Sequence, residues 1–150
     1  MSNDNALAGI GGWLLVVAFI VCLTPPSIIY VMVSVYHLEV FSEWNIFEGT
    51  IKYMVIFEYI INVFLLLISI YLVFLFFKKM TKFKLYFILF LSLSAIITVI
   101  HSIWALFLFP TLPPLEIVYL DEIAGSIIPA LIWIPYMVFS KRVGNTFINE

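Results

Sequence analysis

Two runs of 25 residues, Tyr53–Phe77 and Leu85–Phe109, stand on either side of the heptapeptide Lys78-Lys79-Met80-Thr81-Lys82-Phe83-Lys84. The first run holds 18 Leu, Ile, Val or Phe and one charged residue, Glu58; the second holds no Asp, Glu, Lys or Arg at all. About 20 apolar residues rising ~1.5 Å each cover the ~30 Å of a bilayer's hydrocarbon, so each run predicts a membrane span. Insertion gains of about 0.3 to 0.6 kcal/mol per large aliphatic or Phe residue outweigh the ~3 kcal/mol cost of one intramembrane acid, so Glu58 does not prevent crossing. The four lysines make the turn between the two spans, and that turn fixes which way every other segment faces.

Composition closes off the soluble alternative. The 150 residues are 65% hydrophobic and only 11% charged, against about 25% charged in an ordinary soluble domain. A net charge of −2 argues against a nucleic-acid partner. The single cysteine, Cys22, leaves no internal disulfide and no cysteine metal motif. The segment Met1–Ala8 carries Asp4 and no Lys or Arg, and the apolar stretch after it is too long for a cleaved leader, so the first span is expected to be retained.

That first stretch, Asn5–Tyr36, is 32 residues without a charge, too long for one straight crossing and too short for two. Thr24-Pro25-Pro26-Ser27 lies inside it. Consecutive prolines remove two amide donors, which predicts a single crossing broken or kinked at Pro25 and Pro26, with a re-entrant element as the alternative. Gly9, Gly11, Gly12 and Trp13 form its interfacial start. His37–Lys52 mixes Glu39, Glu43 and Glu48 with Trp44 and aliphatic residues, a pattern suited to a loop lying along the membrane interface. After the third span, Pro110, Pro113 and Pro114 predict a stiff, non-helical connection, followed by Glu116, Asp121 and Glu122. Ile123–Phe139 is the fourth span, with helix kinks expected at Pro129 and Pro135. Ser140-Lys141-Arg142-Val143 and a short polar tail close the chain.

The fold class that follows is all-α, a polytopic membrane protein forming one four-helix transmembrane domain over residues 1–150, with spans at about 10–36, 53–77, 85–109 and 123–139. Lys78, Lys79, Lys82, Lys84, Lys141 and Arg142 flank one face and Lys52 alone the other. By the positive-inside rule both termini and the lysine turn are expected in the cytoplasm. The same six cations are expected to anchor anionic lipid head groups, at ~1 kcal/mol per basic residue; docking of a cytoplasmic partner is the alternative. Six acids (Glu39, Glu43, Glu48, Glu116, Asp121 and Glu122) then line the outer face. Nothing makes three of their oxygens converge on a divalent cation, so solvated loops are expected there and no metal site.

At its two ends the chain resembles a bacterial inner-membrane family known as domain of unknown function 2569. The matching features are Gly11-Gly12-Trp13-Leu14 opening the first span, Pro25 about a dozen residues later, and Ser140-Lys141-Arg142-Val143 with Thr146-Phe147 after the fourth. The resemblance implies four spans and a bacterial inner membrane. It brings no activity, cofactor or site residue.

Polar residues inside the spans are the remaining candidates. Folding the second and third spans about Thr81 levels Asn62 with His101, Ser69 with Ser94 and Glu58 with Ala105. Helical spacing puts Glu58, Asn62 and Ser69 on one face and Ser94, Thr98 and His101 on another. Glu58, Asn62, Thr98 and His101 are therefore the candidate polar centre, able in principle to relay a proton or bind a cation. Against this stands packing, in which small and polar side chains let helices approach closely, with hydrogen bonds worth about 0.6 kcal/mol on average. Gly125, Ser126 and Ala130 read the same way in the fourth span. No phosphate loop, nucleophile elbow or His-Glu-x-x-His occurs, and His37 and His101 are the only histidines.

The sequence thus points to a non-enzymatic, catalytically inert membrane protein without cofactors, binding or regulating a membrane partner or associating with itself among membrane lipids. A small proton- or cation-linked carrier or channel centred on Glu58 and His101 is the alternative. Immunity against a membrane-targeting toxin would look like the first reading.

Overall fold

The computed structural model describes residues 9–40, 42, 44–46, 49–108 and 115–149. Four helices are long and apolar enough to cross a membrane, covering Trp13–Ser34, Thr50–Phe77, Lys82–Phe107 and Leu120–Phe139. They match the four expected spans to within a few residues. Among the described residues there is no strand. The chain divides between Met80 and Thr81 into two compact units, Ile10–Met80 and Thr81 onward together with Gly9.

In the first unit, α1 (Trp13–Val31) runs on into a π-helical segment (Met32–Val40), and a 3-10 turn (Trp44–Ile46) precedes α2 (Thr50–Phe77). Gly12 precedes α1 at φ 56°, a left-handed conformation that favours glycine. Leu14, Val17, Val21, Pro25 and Tyr36 are buried at helical intervals, so one inward stripe continues through the double proline. Of the two expected forms, broken or kinked at Pro25 and Pro26, the broken one is not found: both prolines lie inside a continuous helix. Their missing amides leave the Val21 and Cys22 carbonyls without their usual donors. On either side, Thr24 Oγ1 donates to the Ile20 carbonyl (2.8 Å) and Ser27 Oγ to that of Leu23 (2.9 Å). The re-entrant alternative falls with the break.

The far end of this helix system meets the start of α2, because Tyr36 contacts Glu58 and Asn62. The two helices are therefore antiparallel. Lys52 sits 5.4 Å from the Trp44 ring, a cation–π contact at the interfacial end of α2. Phe41, Glu43, Phe47 and Glu48 of the expected interfacial loop, and the Glu39 side chain, lie outside the described residues. At its other end α2 closes with a paired C-cap: Lys79 N donates to the Phe76 carbonyl (3.0 Å) and Met80 N to that of Leu75 (3.0 Å). This Schellman arrangement needs a left-handed residue, and Lys79 occupies it at φ 51°.

The second unit is built on α3 (Lys82–Leu108) and α4 (Leu115–Phe139), which lie antiparallel. Lys84 Nζ reaches the Val138 carbonyl (3.4 Å) at one end and His101 approaches Glu122 at the other. Phe83, Phe87, Leu91, Ala105, Trp133 and Met137 form its buried face. Pro110, Pro113 and Pro114 lie outside the described residues, but helix begins at once at Leu115. Glu116, Asp121 and Glu122, expected between that connection and a fourth span starting at Ile123, lie within α4. Glu116 falls in the first turn of α4, where an acid meets the positive end of the helix dipole, which favours that start. Pro129 and Pro135 lie within a continuous α4.

The tail is not loose either. Ser140 Oγ accepts from Val143 N (3.4 Å) and starts α5 (Lys141–Thr146). Val143, Thr146 and Phe147 are buried. Phe147 stacks on Phe83 with centroids 4.6 Å apart, and Phe83 stacks on Phe87 at 5.4 Å. Thr81 N donates to the Asn149 carbonyl (2.8 Å). Thr146 Oγ1 accepts from Gly9 N (3.1 Å) and donates to Gly9 O (3.2 Å). The Ser-Lys-Arg-Val and Thr-Phe motifs thus act as a structural clasp.

Candidate functional site

Glu58 lies two turns into α2, about 12 Å along the axis from Thr50. Its Oε2 accepts a hydrogen bond from the Tyr36 hydroxyl at 3.0 Å, and its Oε1 is shielded from solvent. An O–H donor serves a carboxyl in either protonation state, so the contact makes an acid tolerable at this depth. Tyr36 is itself 7% exposed. The edge of its ring meets Tyr59 (centroids 5.6 Å, 73°), and its position on the π-helical segment sets the hydroxyl facing α2. Asn62 completes the group: Nδ2 donates to the backbone carbonyl of Glu58 (3.0 Å) and to the Tyr36 hydroxyl (3.4 Å). The cluster fixes two spans to each other and places one carboxyl, one phenol and one amide within reach of a proton.

Two of the four expected polar-centre residues, Glu58 and Asn62, are brought together here. Thr98 and His101 belong to the other unit and have partners of their own there. Thr98 Oγ1 donates to the Ser94 carbonyl in its own helix (3.0 Å). His101 Nδ1 is 4.0 Å from Glu122 Oε2, joining α3 to α4 in the N-terminal part of α4. Tyr36 is the member that sequence reasoning missed. Folding the first and second spans about the 41–49 loop would have levelled it within about one helical turn of Glu58.

The remaining intramembrane hydroxyls turn back on their own helices. Ser69 donates to Leu66 O (2.8 Å), Ser94 to Leu91 O (3.0 Å) and Ser126 to Ile123 O (2.9 Å). Ala130 is buried, but Gly125 is exposed and a Cβ built there would meet nothing within 4 Å. The close-contact face expected around Gly125 is therefore not formed at that glycine. Ser102 Oγ and Tyr136 Oη are shielded within the second unit and have no hydrogen-bond partner among the described residues.

Among the expected head-group anchors, Lys78, Lys79, Lys82 and Lys141 are exposed, and Arg142 is half-buried. Lys84 is engaged with the C-terminal end of α4, where a cation meets the negative end of the helix dipole. Among the described residues, no group of three His, Cys, Asp or Glu is arranged to hold a metal ion.

No curated protein and no solved structure matches the chain. A family model described as "Protein of unknown function (DUF2569)" matches residues 7–148. Those residues take in all four membrane-length helices, Tyr36, Glu58 and the α5 clasp, and the chain belongs to the DUF2569 family of proteins of unknown function.

Proposed function

We propose that the protein is a multi-pass component of a bacterial inner membrane, with both termini in the cytoplasm, that acts without catalysis by binding or regulating a membrane partner. The observation that carries this reading is where the polar groups of the spans are spent. Ser69, Ser94, Thr98 and Ser126 donate within their own helices, and Glu58 is tied to Tyr36. What the spans present outward is large and apolar, Phe107 at 82% and Phe19 at 66% exposure for example. In a membrane those faces meet lipid tails or another protein's helix. The six-to-one distribution of Lys and Arg supports the orientation.

Photo-crosslinking tests it, with a crosslinker placed in turn at Phe19, Leu67 and Phe107 in living cells. A discrete adduct above the monomer from one face supports the reading. Lipid adducts alone from every face would sink it.

The second reading, a proton- or cation-linked carrier, is favoured by the half-buried Glu58 with its phenolic donor on a π-helical segment, since π-helical turns cluster at functional sites. His101 belongs to this reading through its contact with Glu122. Proton flux into proteoliposomes that survives in Glu58→Gln and His101→Ala removes it.

A further inference from the structure

The end of the second unit that holds the clasp gathers four of the chain's seven Lys and Arg residues. Thr81–Phe90 and Val138–Asn149 contain Lys82, Lys84, Lys141 and Arg142 and no acidic residue. The α3–α4 hairpin and α5 bring these two segments together through Lys84 to Val138, Thr81 to Asn149 and Phe83 to Phe147. Lys82 and Lys141 are exposed and Arg142 half-buried. Among the described residues that end presents these cations and no acid.

Deeper in the same unit a hollow of about 230 Å³ opens between α3 and α4, lined by Ala95, Ile127, Ala130, Leu131, Ile134 and Pro135. It exists because Ala95 and Ala130 stop at Cβ where their neighbours are branched. Every lining side chain is apolar, and the volume is smaller than the roughly 300–1,000 Å³ that encloses a compact drug-sized ligand. The lining runs from Ile127 to Pro135, about 12 Å along α4, and its near edge is about 7 Å from Ser140. An apolar space that starts one to two turns below a basic helix end has the layout of a phospholipid, with charge at the interface and an acyl chain beneath it. Basic pockets between membrane helices recognise anionic head groups through the same charge complementarity.

We propose that this unit binds one anionic glycerophospholipid, its head group among Lys82, Lys141 and Arg142 and one acyl chain in the hollow beside Ala95 and Ala130. The site stands independently of the partner-binding reading. Lys84, already engaged with α4, adds field without direct contact.

Delipidated full-length protein in mixed micelles, titrated with dioleoyl phosphatidylglycerol and followed by native mass spectrometry, tests the site. One lipid should be retained per chain, and dioleoyl phosphatidylcholine should bind at least tenfold more weakly. Lys141→Gln and Arg142→Gln should each weaken retention about fivefold. Ala95→Leu should abolish the preference for dioleoyl over dihexanoyl phosphatidylglycerol while leaving the head-group selectivity intact. Equal retention of the two head groups would overturn the proposal, as would an unchanged chain-length preference in Ala95→Leu. Ala130→Leu fills the hollow from α4 and gives a second reading of chain-length preference if Ala95→Leu inserts poorly. Binding of many phosphatidylglycerol molecules without saturation, erased by salt, would show surface attraction only and also overturn it.

Discussion

The Tyr36 hydroxyl donates to Glu58 Oε2 across 3.0 Å and thereby joins the end of the first membrane helix system to the start of the second. Tyr36→Phe removes the donor while keeping the ring against Tyr59. Hydrogen bonds between membrane helices average about 0.6 kcal/mol and reach about 1.7. This one belongs at the upper end, since it is part-buried and its acceptor is a carboxyl oxygen. Expected is a loss of about 1–2 kcal/mol in unfolding from detergent micelles. Glu58→Gln keeps an acceptor for Tyr36 and should cost less. A double-mutant cycle that returns no coupling between Tyr36 and Glu58 would show that the bond contributes nothing to stability.

The self-bonded hydroxyls lead to the opposite expectation. Ser69→Ala, Ser94→Ala and Thr98→Val each remove a donor to a carbonyl of the same helix, leaving no partner stranded. Each should shift stability by less than about 0.5 kcal/mol and leave any proton flux unchanged. Flux lost in Ser94→Ala or Thr98→Val would place those hydroxyls on a conduction path and favour the carrier reading.

The spans were legible because bilayer insertion depends on length and composition, both readable residue by residue; Tyr53–Phe77 needed no knowledge of neighbours. Helix continuity at Pro25 was not, since two prolines look the same in sequence whether or not the turn around them holds. The clasp was hidden for another reason. Its buried apolar residues are only Val143 and Phe147, four residues apart inside a polar tail, although that spacing after Ser140 is a capped helical turn in miniature. Tyr36 with Glu58 required the first loop's geometry, which a pairing of the second and third spans about Thr81 does not supply.

Lys79 holds a left-handed conformation, φ 51°, that the C-cap of α2 requires. A side chain there costs about 1 kcal/mol relative to glycine, so Lys79→Gly should stabilise the protein by up to that amount. Lys79→Ala should be close to neutral, because alanine keeps the Cβ that causes the strain. Thermal unfolding of the two variants side by side separates backbone strain from charge: equal stabilisation of both would assign the effect to removing a lysine from a crowded basic turn.

Thr146 brackets Gly9 by giving and taking a hydrogen bond on the same residue's backbone, while Phe147 lies on Phe83. Thr146→Val conserves shape and removes both bonds, which predicts a loss of about 1–2 kcal/mol confined to the ends of the chain. Phe147→Ala opens space beside Phe83 and should cost about 3 kcal/mol, the low end for a buried phenylalanine. The spans should still insert in both variants, because insertion draws on the apolar runs and not on the clasp. Limited proteolysis reads the difference: cleavage after Lys141 or Arg142 should accelerate severalfold in Phe147→Ala while fragments containing α2 persist. Unchanged cleavage would mean that the stacking of Phe147 on Phe83 does not hold the tail, and the Ser-Lys-Arg-Val and Thr-Phe residues would then need another explanation than closing the fold.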